Sequence, residues 1–385
     1  MKILFLVSGS IKSNLTYRAL FLARSLAKKG HKISIFAPKL DKYSKFQEEI
    51  INEIDGVNII YPFQFNTTSR ILNLIPYMVH ASYLVMFHSA DIIHIFKPSP
   101  ITVIGLIPKL LKKTPTIVDM DDLGSKVMQL EGNNFLIIKI TQLCELISLK
   151  FSDGISCASS YLEQIYRMKF PEKFVKWISN GIDERFYSSK FIYKKIPPSI
   201  IVIGSLNRKN IVQPLFYALQ KILETDKSLK DISIKIIGDG QSLPYFKNLS
   251  KKLNLDKNIN FLGWVDIENI PQFISTGDLG YAYMPDEETI LASSNLKLFQ
   301  YMAMGVVPIV STVGDLPYYV DYGKIGYIAK KNDINDLTSI LHKALQDNNG
   351  RPVKARIAKE YTKGKYSWDS LSLELEKMYE KITKI

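Results

Sequence analysis

Cysteine and long hydrophobic runs are both scarce in this sequence. Among 385 residues only Cys144 and Cys157 are cysteines, and neither belongs to a metal-binding spacing, so we expect no disulfide framework and a reducing, cytoplasmic setting. The run without charged residues at 71–90 is interrupted by Asn73 and Pro76, which favours a helix of a water-soluble domain over a membrane span. The apolar run at residues 3–7 is too short for a signal peptide, and no small-residue cleavage site follows it.

The composition indicates a globular protein with more than one core. Hydrophobic residues make up 46% and charged residues 23% of the chain, which excludes a disordered protein. A length of 385 residues predicts two domains. The net charge of +13 predicts attraction to anions such as nucleotide diphosphates or acidic lipid headgroups, whereas the dispersed lysines argue against nucleic acid.

Strand patterns alternate with helix patterns along the chain, and the alternation occurs twice. Most of the strand patterns are continuous apolar runs, as in parallel strands buried on both faces. They lie at residues 3–7, 33–37, 58–61, 92–96, 116–119, 154–158, 200–203, 232–237, 260–262, 279–283 and 307–310. Helices are expected between them, the first at residues 15–29, and Pro197 with Pro198 marks a linker. This pattern predicts two doubly wound α/β domains, which bind ligands at the carboxyl ends of their strands.

The most informative segment is residues 284–312, which has the pattern loop, short helix, strand. Ser294 and Asn295 are good helix N-caps, and Gly305 is placed to end the helix. Lys297 and Gln300 are three residues apart and share one side of it. A helix N-terminus with a lysine one turn in suits a phosphorylated ligand. The alternative is an ordinary amphipathic helix with two solvated polar residues.

This segment, SSNLKLFQYMAMG at residues 293–305, resembles the donor-binding loop and helix of the family 4 glycosyltransferases (glycosyl transferases group 1). The resemblance extends to NGID at residues 180–183, IIGDG at 236–240 and FLGW at 261–264, in the family's order and spacing. It implies the GT-B fold, an α/β fold with two Rossmann-like parallel-sheet domains facing a central cleft. We expect an acceptor-side domain at residues 1–190, with the C-terminal helix at 367–385 packing back on it, and a nucleotide-sugar donor domain at 198–364.

The function implied by the resemblance is retaining transfer of a sugar from a nucleotide-diphosphate donor to a hydroxyl, by an enzyme of the hexosyltransferase type that needs no cofactor or metal. Synthesis of surface polysaccharide or glycolipid is the expected setting. The family's two glutamates fall on Ala292 and Gln300. These departures leave two alternatives, a GT-B nucleotide-sugar epimerase and a non-catalytic nucleotide- or sugar-binding homologue.

The residues that the resemblance assigns to the donor lie in glycine turns, a basic loop and the start of the helix. They are Gly9, Ser10, Gly204, Arg208, Lys209, Gly238, Asp239, Ser294, Asn295, Leu296, Lys297 and Gln300. Arg208 or Lys209 would neutralise the diphosphate, although a basic loop is often only solvated. Gln300 takes the place of the glutamate that binds the ribose hydroxyls.

On the acceptor side we expect His94, Lys97 and Asp121 near the reaction. The segment DIIH at residues 91–94 resembles the family's DVVHxH, in which the second histidine lies beside the reacting sugar, and Phe96 takes that position here. His94 is therefore expected at the cleft, or else as a structural residue at a strand end. Lys97 would contribute charge there.

Asp119, Asp121 and Asp122 form an acidic cluster with three interpretations. Asp119 and Asp121 have the D-x-D spacing that chelates a divalent cation in other glycosyltransferases. Alternatively, Asp122 caps the next helix and Asp121 is solvated. In the third interpretation Asp121 is an acceptor-side carboxylate that binds a hydroxyl or takes its proton.

The expected partners are a nucleotide sugar and a glycan or lipid-linked acceptor, without nucleic acid. The first half of the chain has apolar stretches punctuated by lysines, for example at residues 135–149. Together with the net charge this predicts peripheral contact with an anionic membrane, at the inner face of the cell membrane.

Overall fold

The computed structural model describes residues 1–11, 13, 16–38, 52–63, 70–188 and 198–384. Leu15 and Pro197, at the predicted helix start and linker, lie outside them. The chain forms two compact units. Unit 1 is Met1–Asn180, Ala292–Ser294 and Trp368–Ile385, and unit 2 is Gly181–Leu291 and Asn295–Ser367. The first unit therefore stops earlier than residue 190 and takes in three residues from the segment 284–312.

Within the described residues, fourteen strands form two sheets, one in each unit. The strands of unit 1 are β1 (Lys2–Leu6), β2 (Lys32–Phe36), β3 (Glu53–Ile54), β4 (Val57–Ile60), β5 (Ile92–Phe96), β6 (Thr116–Met120), β7 (Gly154–Cys157) and β8 (Phe174–Trp177). Those of unit 2 are β9 (Ile200–Ile203), β10 (Ile234–Ile237), β11 (Ile259–Gly263), β12 (Leu279–Ala282), β13 (Val307–Ser311) and β14 (Tyr327–Ala329). The orders are β3-β4-β2-β1-β5-β6-β7-β8 and β11-β10-β9-β12-β13-β14. All pairs are parallel except β3 with β4.

Most of the α-helices lie between strands as the crossovers that parallel sheets require, and the last three follow the final strand. They are α1 (Tyr17–Lys28), α2 (Arg70–Phe87), α3 (Ile107–Lys112), α4 (Gly124–Leu130), α5 (Phe135–Phe151), α6 (Ser160–Lys169), α7 (Arg185–Ser188), α8 (Lys209–Thr225), α9 (Leu243–Lys252), α10 (Ile270–Ile274), α11 (Glu288–Leu291), α12 (Leu296–Ala303), α13 (Leu316–Tyr319), α14 (Ile334–Gln346), α15 (Gly350–Tyr366) and α16 (Trp368–Thr383). In the described part of the chain, no helix is long and apolar enough to cross a membrane.

Each sheet has a hydrophobic core built from its apolar strands. In unit 1, α1 and α16 cover one face, where Leu22 and Leu375 join strand residues such as Phe5. Helices α2, α3, α5 and α6 and the 3-10 helix Val103–Leu106 lie on the other face. In unit 2, α8, α9 and α14 cover one face, and α12 packs on β12, β13 and α15.

The strands that sequence patterns predict are present, and β5 and β9 have the predicted bounds. The three strands that were not predicted, β3, β8 and β14, all lie at sheet edges. An edge strand is short and partly exposed, so it lacks the continuous apolar run by which buried parallel strands are recognised.

Candidate active site

Three glycines lie side by side at the carboxyl ends of β9, β10 and β11. The N–H of Gly204 donates to the carbonyl of Ile237 (3.0 Å), and that of Gly238 donates to the carbonyl of Gly263 (2.7 Å). Gly204 and Gly238 have φ of +139° and +138°, and a Cβ on Gly238 would overlap the Gly204 carbonyl. These turns need glycine, and they leave bare backbone that a ligand can approach closely.

The loops that follow β9 and β10 are locked together. The N–H of Leu206 donates to the carbonyl of Asp239 (2.9 Å), and the N–H of Ser242 donates to the carbonyl of Leu206 (2.9 Å). A Cβ on Gly240 would overlap Asn207. The predicted donor residue Asp239 is exposed between these contacts, and its carboxylate accepts from the N–H of Gly240 (2.7 Å). The two loops therefore form one fixed frame.

Helix α12 is fixed beside this frame by Tyr301. The Tyr301 side chain is fully buried, and its hydroxyl accepts the N–H of Ile203 at 2.9 Å, at the end of β9. Gly280 on β12 makes room for it, since a Cβ there would overlap the Tyr301 ring. Lys297 lies one turn earlier, and its Nζ is 3.8 Å from the place of a Cβ on Gly204. The predicted lysine is thus brought to the predicted glycine turn.

The polar side chains of Lys297 and Gln300 have no hydrogen-bond partner among the described residues. Burial lowers the pKa of the Lys297 ammonium to about 8. Within the described ranges no carboxylate pairs with it. The Gln300 side chain is only 6% exposed, and no group among the described residues hydrogen-bonds to its amide. Because burying an unpaired polar group costs free energy, this arrangement favours a polar ligand, an anion at Lys297.

Arg208 and Lys209, by contrast, have protein partners. The Arg208 guanidinium forms an ion pair with Glu287, which also accepts from the Asn210 amide at 2.5 Å. The Lys209 Nζ lies 4.4 Å from the centre of the Tyr245 ring. A diphosphate would compete with Glu287 for Arg208, and the donor role of both basic residues stays a prediction.

The start of α12 differs from the expected capped helix. Asn295 occupies the N-cap position, but its side chain makes no capping hydrogen bond. Ser294 belongs to unit 1, where its hydroxyl accepts the Asn180 N–H (3.0 Å) and its carbonyl accepts from the Asn180 amide (3.2 Å). The prediction that Asn295 caps the helix with its side chain is therefore wrong. Ala292, at a family glutamate position, is fully buried in the core of unit 1.

A buried ion pair organises the polar residues of unit 1. The guanidinium of Arg18 donates to both carboxylate oxygens of Asp119 (3.0 and 3.2 Å from Nε), and these side chains are 4% and 0% exposed. Arg18 also donates to the carbonyls of Ile178 (2.7 Å) and Ser179 (2.8 Å). Asp119 accepts from the Ser156 hydroxyl at 2.6 Å. The pair ties α1, β6 and the segment after β8 together.

His94 lies in the core rather than at a strand end facing a ligand. It is the third residue of β5 and fully buried. Its Nδ1 is 2.7 Å from the Tyr379 hydroxyl and its Nε2 is 3.1 Å from the Ser156 hydroxyl. Burial, together with the charge of Arg18, holds the pKa of His94 well below its usual value. The structure therefore corrects the expected position, and it favours a neutral, structural histidine that links α16 to the sheet.

Lys97 and Asp121 meet at the carboxyl end of β5. The Nζ of Lys97 is 3.2 Å from the Asp121 carboxylate and 3.0 Å from that of Asp122. Although burial lowers it, the two carboxylates raise the pKa of Lys97 above its ordinary value. Asp121 also accepts from the Asn180 amide at 3.2 Å. Lys97 has φ of +48°, which is uncommon for a residue with a side chain.

Two of the interpretations of the acidic cluster do not hold. The N-cap residue of α4 is Leu123 and not Asp122. The Asp122 carboxylate accepts a hydrogen bond from Lys97 instead. The D-x-D pair is not a metal site, because the Asp119 carboxylate already forms an ion pair with the Arg18 guanidinium. In the described part of the chain, no group of three or more His, Cys, Asp or Glu residues could hold a metal ion.

The turn after β1 holds the other two predicted donor residues. Gly9 and Ser10 are buried, and their carbonyls accept from the Thr16 hydroxyl (3.1 Å) and the Ser13 N–H (3.0 Å). These bonds shape the turn into α1. Contact of Gly9 and Ser10 with a donor stays a prediction.

Sequence reasoning missed three residues that matter to these sites. Arg18 lies on the apolar side of α1 beside Ala19 and Leu22, and a charge on such a face signals a buried partner. Trp264 directly follows Gly263, the third of the three adjacent glycines, and its side chain is 69% exposed. Its place in the FLGW motif could have marked it as a candidate site residue. Tyr301 had no recognisable signal, because an aromatic residue in a helix is usually only part of the core.

Known proteins resemble this chain over nearly its whole length. Residues 16–186 match the family model Glycosyltransferase Family 4, and residues 197–347 match Glycosyl transferases group 1. N-acetyl-alpha-D-glucosaminyl L-malate synthase of Bacillus anthracis is 24% identical over 342 residues, which are 84% of this chain and 82% of that protein. Sucrose-phosphate synthase from Thermosynechococcus elongatus has a TM-score of 0.77 and 15% identity, covering 99% of this chain and 98% of that one. Anabaena HepE in complex with UDP-glucose has a TM-score of 0.70 and 15% identity, covering 99% and 100%.

Two parallel-sheet α/β units with these structural neighbours define a glycosyltransferase of the GT-B fold. The two family models between them match most of the sequence. The chain belongs to glycosyltransferase family 4, and it is an enzyme that transfers a glycosyl group.

Proposed function

We propose that this enzyme transfers a sugar from a nucleotide-diphosphate donor to a hydroxyl, with retention at the anomeric carbon. The observation that carries the proposal is that the ammonium of Lys297 lies beside the bare backbone of Gly204 and pairs with no carboxylate of the described residues. A diphosphate is an anion that would form an ion pair with the Lys297 ammonium. The complex of Anabaena HepE with UDP-glucose supports a nucleotide sugar as the donor.

The proposed chemistry requires stabilisation of the leaving group. The bond from the anomeric carbon to the diphosphate oxygen breaks, a bond to the acceptor oxygen forms, and the acceptor hydroxyl loses its proton. The nucleoside diphosphate leaves with an added negative charge. Lys297 and the N–H groups at the start of α12 supply positive potential where that charge develops, without a metal ion.

The remaining parts of the donor are assigned to Gln300 and Trp264. The Gln300 amide has one acceptor oxygen and two N–H donors, which suit ribose hydroxyls. The exposed Trp264 ring follows Gly263 in the glycine row, two strands away from Gly204. It offers a flat surface on which a nucleobase can stack.

For the acceptor we propose a hydroxyl of a glycan or lipid-linked glycan, in surface polysaccharide or glycolipid synthesis at the cytoplasmic face of the cell membrane. Asp121 and Asp122 keep 19% and 26% of their side-chain surface exposed, although both pair with Lys97. Carboxylates of this kind accept hydrogen bonds from sugar hydroxyls, and Asp121 is the proposed base that takes the acceptor's proton.

The proposal is tested by calorimetry with UDP, GDP, ADP and their sugars, followed by NMR of the product. We expect one nucleotide to bind with micromolar affinity and the product to keep the anomeric configuration of the donor. Lys297→Ala should weaken that binding by about 1.5–3 kcal/mol, the range for a charged hydrogen bond. Lys251→Ala, at an exposed position of α9, is the control and should bind as the unchanged protein does. A product of inverted configuration would contradict retention, and equal affinity of Lys297→Ala would contradict the site.

A further inference from the structure

Helix α2 has an apolar outer side. Ile75, Val79, Tyr83 and Phe87 recur every four residues and are between 58% and 68% exposed. Tyr77, on the other side, is buried in the core of unit 1. Residues 71–90 contain no Asp, Glu, Lys or Arg. A helix with apolar residues on its outer as well as its inner side is normally buried or in contact with a membrane, and the outer side of α2 has no partner among the described residues.

Helix α5 has large apolar side chains on its outer side as well as on its inner side. Phe135, Leu136 and Leu143 are 72%, 66% and 55% exposed, whereas Ile138 and Leu149 are buried. A helix that only packs on a core in water has polar residues on its outer side. The outer side of α5 is therefore also unexplained by folding.

The two helices belong to one continuous surface. Helix α2 packs against α3 and against the 3-10 helix Val103–Leu106, which packs in turn against α5. Helix α3 adds the exposed side chains of Leu110 and Leu111. We call this surface the α2–α3–α5 face.

Lysines accompany the apolar side chains, and one of them, Lys112, donates to the carbonyl of Met86. Lys112, Lys113, Lys139 and Lys150 are exposed, and none of them pairs with a carboxylate of the described residues. The Nζ of Lys112 lies 5.8 Å from the centre of the Phe87 ring, and that of Lys139 lies 5.4 Å from the centre of the Phe135 ring.

The acidic residue of α5 does not balance these lysines. Glu145 turns inward, where it accepts from the hydroxyl (2.7 Å) and the N–H (3.0 Å) of Ser125. The face thus combines apolar side chains with positive charge that no carboxylate of the described residues neutralises. Lysine stems that lie along apolar rings place their ammonium groups at the level of lipid headgroups when such rings insert into a bilayer.

We infer that the α2–α3–α5 face docks on the surface of an anionic bilayer, with its apolar side chains among the headgroups and its lysines on the lipid phosphates. A second copy of this chain is a poorer occupant, because a two-fold contact would bring the lysines of one copy against those of the other. The face contains none of the residues assigned to the donor, so the inference does not depend on the donor assignment. It deepens the proposal of a lipid-linked acceptor, and that part of the proposed function is what it rests on.

The test is cosedimentation of the full chain with vesicles of phosphatidylcholine alone and of phosphatidylcholine mixed with phosphatidylglycerol. We expect binding to the mixed vesicles at low salt and release as salt rises. The variant Val79→Gln/Tyr83→Gln should lower the partition coefficient about tenfold or more. Lys112→Gln/Lys139→Gln should lower it about fivefold for each lysine, on mixed vesicles only.

A matched control comes from α15, where Val353 and Ile357 are also exposed and four residues apart, in unit 2. Val353→Gln/Ile357→Gln should bind vesicles as the unchanged protein does. Absence of binding to mixed vesicles at low salt, or equal losses for the control and for Val79→Gln/Tyr83→Gln, would overturn the inference. Concentration-dependent self-association that Val79→Gln/Tyr83→Gln abolishes, without vesicle binding, would assign the face to a contact between copies and also overturn it.

Calorimetry with UDP on the same variants separates this inference from the donor proposal. Unchanged nucleotide affinity is expected for all of them. A protein that binds nucleotide but not vesicles contradicts only the membrane inference, and one that binds vesicles but no nucleotide contradicts only the donor site.

Discussion

Nucleotide binding should draw a proton onto Lys297. In the free protein burial lowers the pKa of this side chain to about 8, so about half of the Lys297 side chains are neutral at pH 8. A diphosphate in contact with Nζ favours the ammonium and moves its pKa back toward the ordinary 10.5. At pH 8 each bound nucleotide should therefore take up about half a proton, and affinity should fall above pH 8 by up to about tenfold per pH unit.

The same burial makes Lys297 costly for stability. The difference between 10.5 and about 8 corresponds to about 3 kcal/mol, at about 1.4 kcal/mol per pKa unit. Because the side chain is only half-buried, solvent screening leaves about 1–2 kcal/mol. Lys297→Met should raise the free energy of unfolding at pH 7 by this amount. This gain in stability of Lys297→Met over the unchanged protein should shrink between pH 8 and 10.5. In that range the unfolded chain binds more protons than the folded protein does, so the unchanged protein becomes more stable as pH rises.

Calorimetry of UDP binding at pH 8 in two buffers of different ionisation enthalpy measures the proton uptake, and urea unfolding of the free proteins measures the stability. Lys297→Met should bind UDP about tenfold or more weakly, without proton uptake. Lys251→Met on α9 should match the unchanged protein in both measurements. Binding without proton uptake by the unchanged protein, or uptake that persists in Lys297→Met, would refute the placement of a diphosphate at this lysine.

Four further substitutions test separate parts of the molecule. Gln300→Glu should tighten nucleotide binding several-fold, since a charged hydrogen bond exceeds a neutral one by about 1–2 kcal/mol, and equal or weaker binding in calorimetry would remove the ribose from this position. Tyr301→Phe should cost about 1–3 kcal/mol in urea unfolding because the Ile203 N–H loses its acceptor, and an unchanged midpoint would contradict that bond. Trp264→Ala should leave stability within about 0.5 kcal/mol but weaken UDP binding by about 1–2 kcal/mol, and unaltered affinity would argue against stacking. Asp119→Asn should destabilise by about 3–5 kcal/mol because Arg18 loses its buried counter-charge, and a smaller loss would show that other groups carry that charge.

The fold was predictable from sequence because most of its strands are buried on both faces. Strands such as β5 and β9 are apolar runs with sharp ends, and the alternation with helices implies parallel sheets. The edge strands β3, β8 and β14 escaped prediction because their partly exposed residues have no such pattern.

The sites were predictable only in part, because their chemistry depends on partners far away in sequence. Local spacing predicted Lys297 as a donor residue, and the family resemblance predicted the glycine turns. Local spacing could not show that His94 meets Tyr379, 285 residues later, and is thereby held in the core. Nor could it show that Asp119 pairs with Arg18, 101 residues earlier, instead of binding a metal ion.

The place of α16 in unit 1 bears on how the protein is made. Its apolar residues complete the core that α1 and the sheet begin, and Tyr379 meets His94 there. Residues 181–291 and 295–367 leave the ribosome before α16 does. At about 5–20 residues per second, the sheet of unit 1 waits on the order of 10 to 40 seconds with one face covered only in part, by α1. During synthesis the unfinished first unit is therefore a client for chaperones that shield apolar surface, while unit 2 has its whole sequence available to fold first.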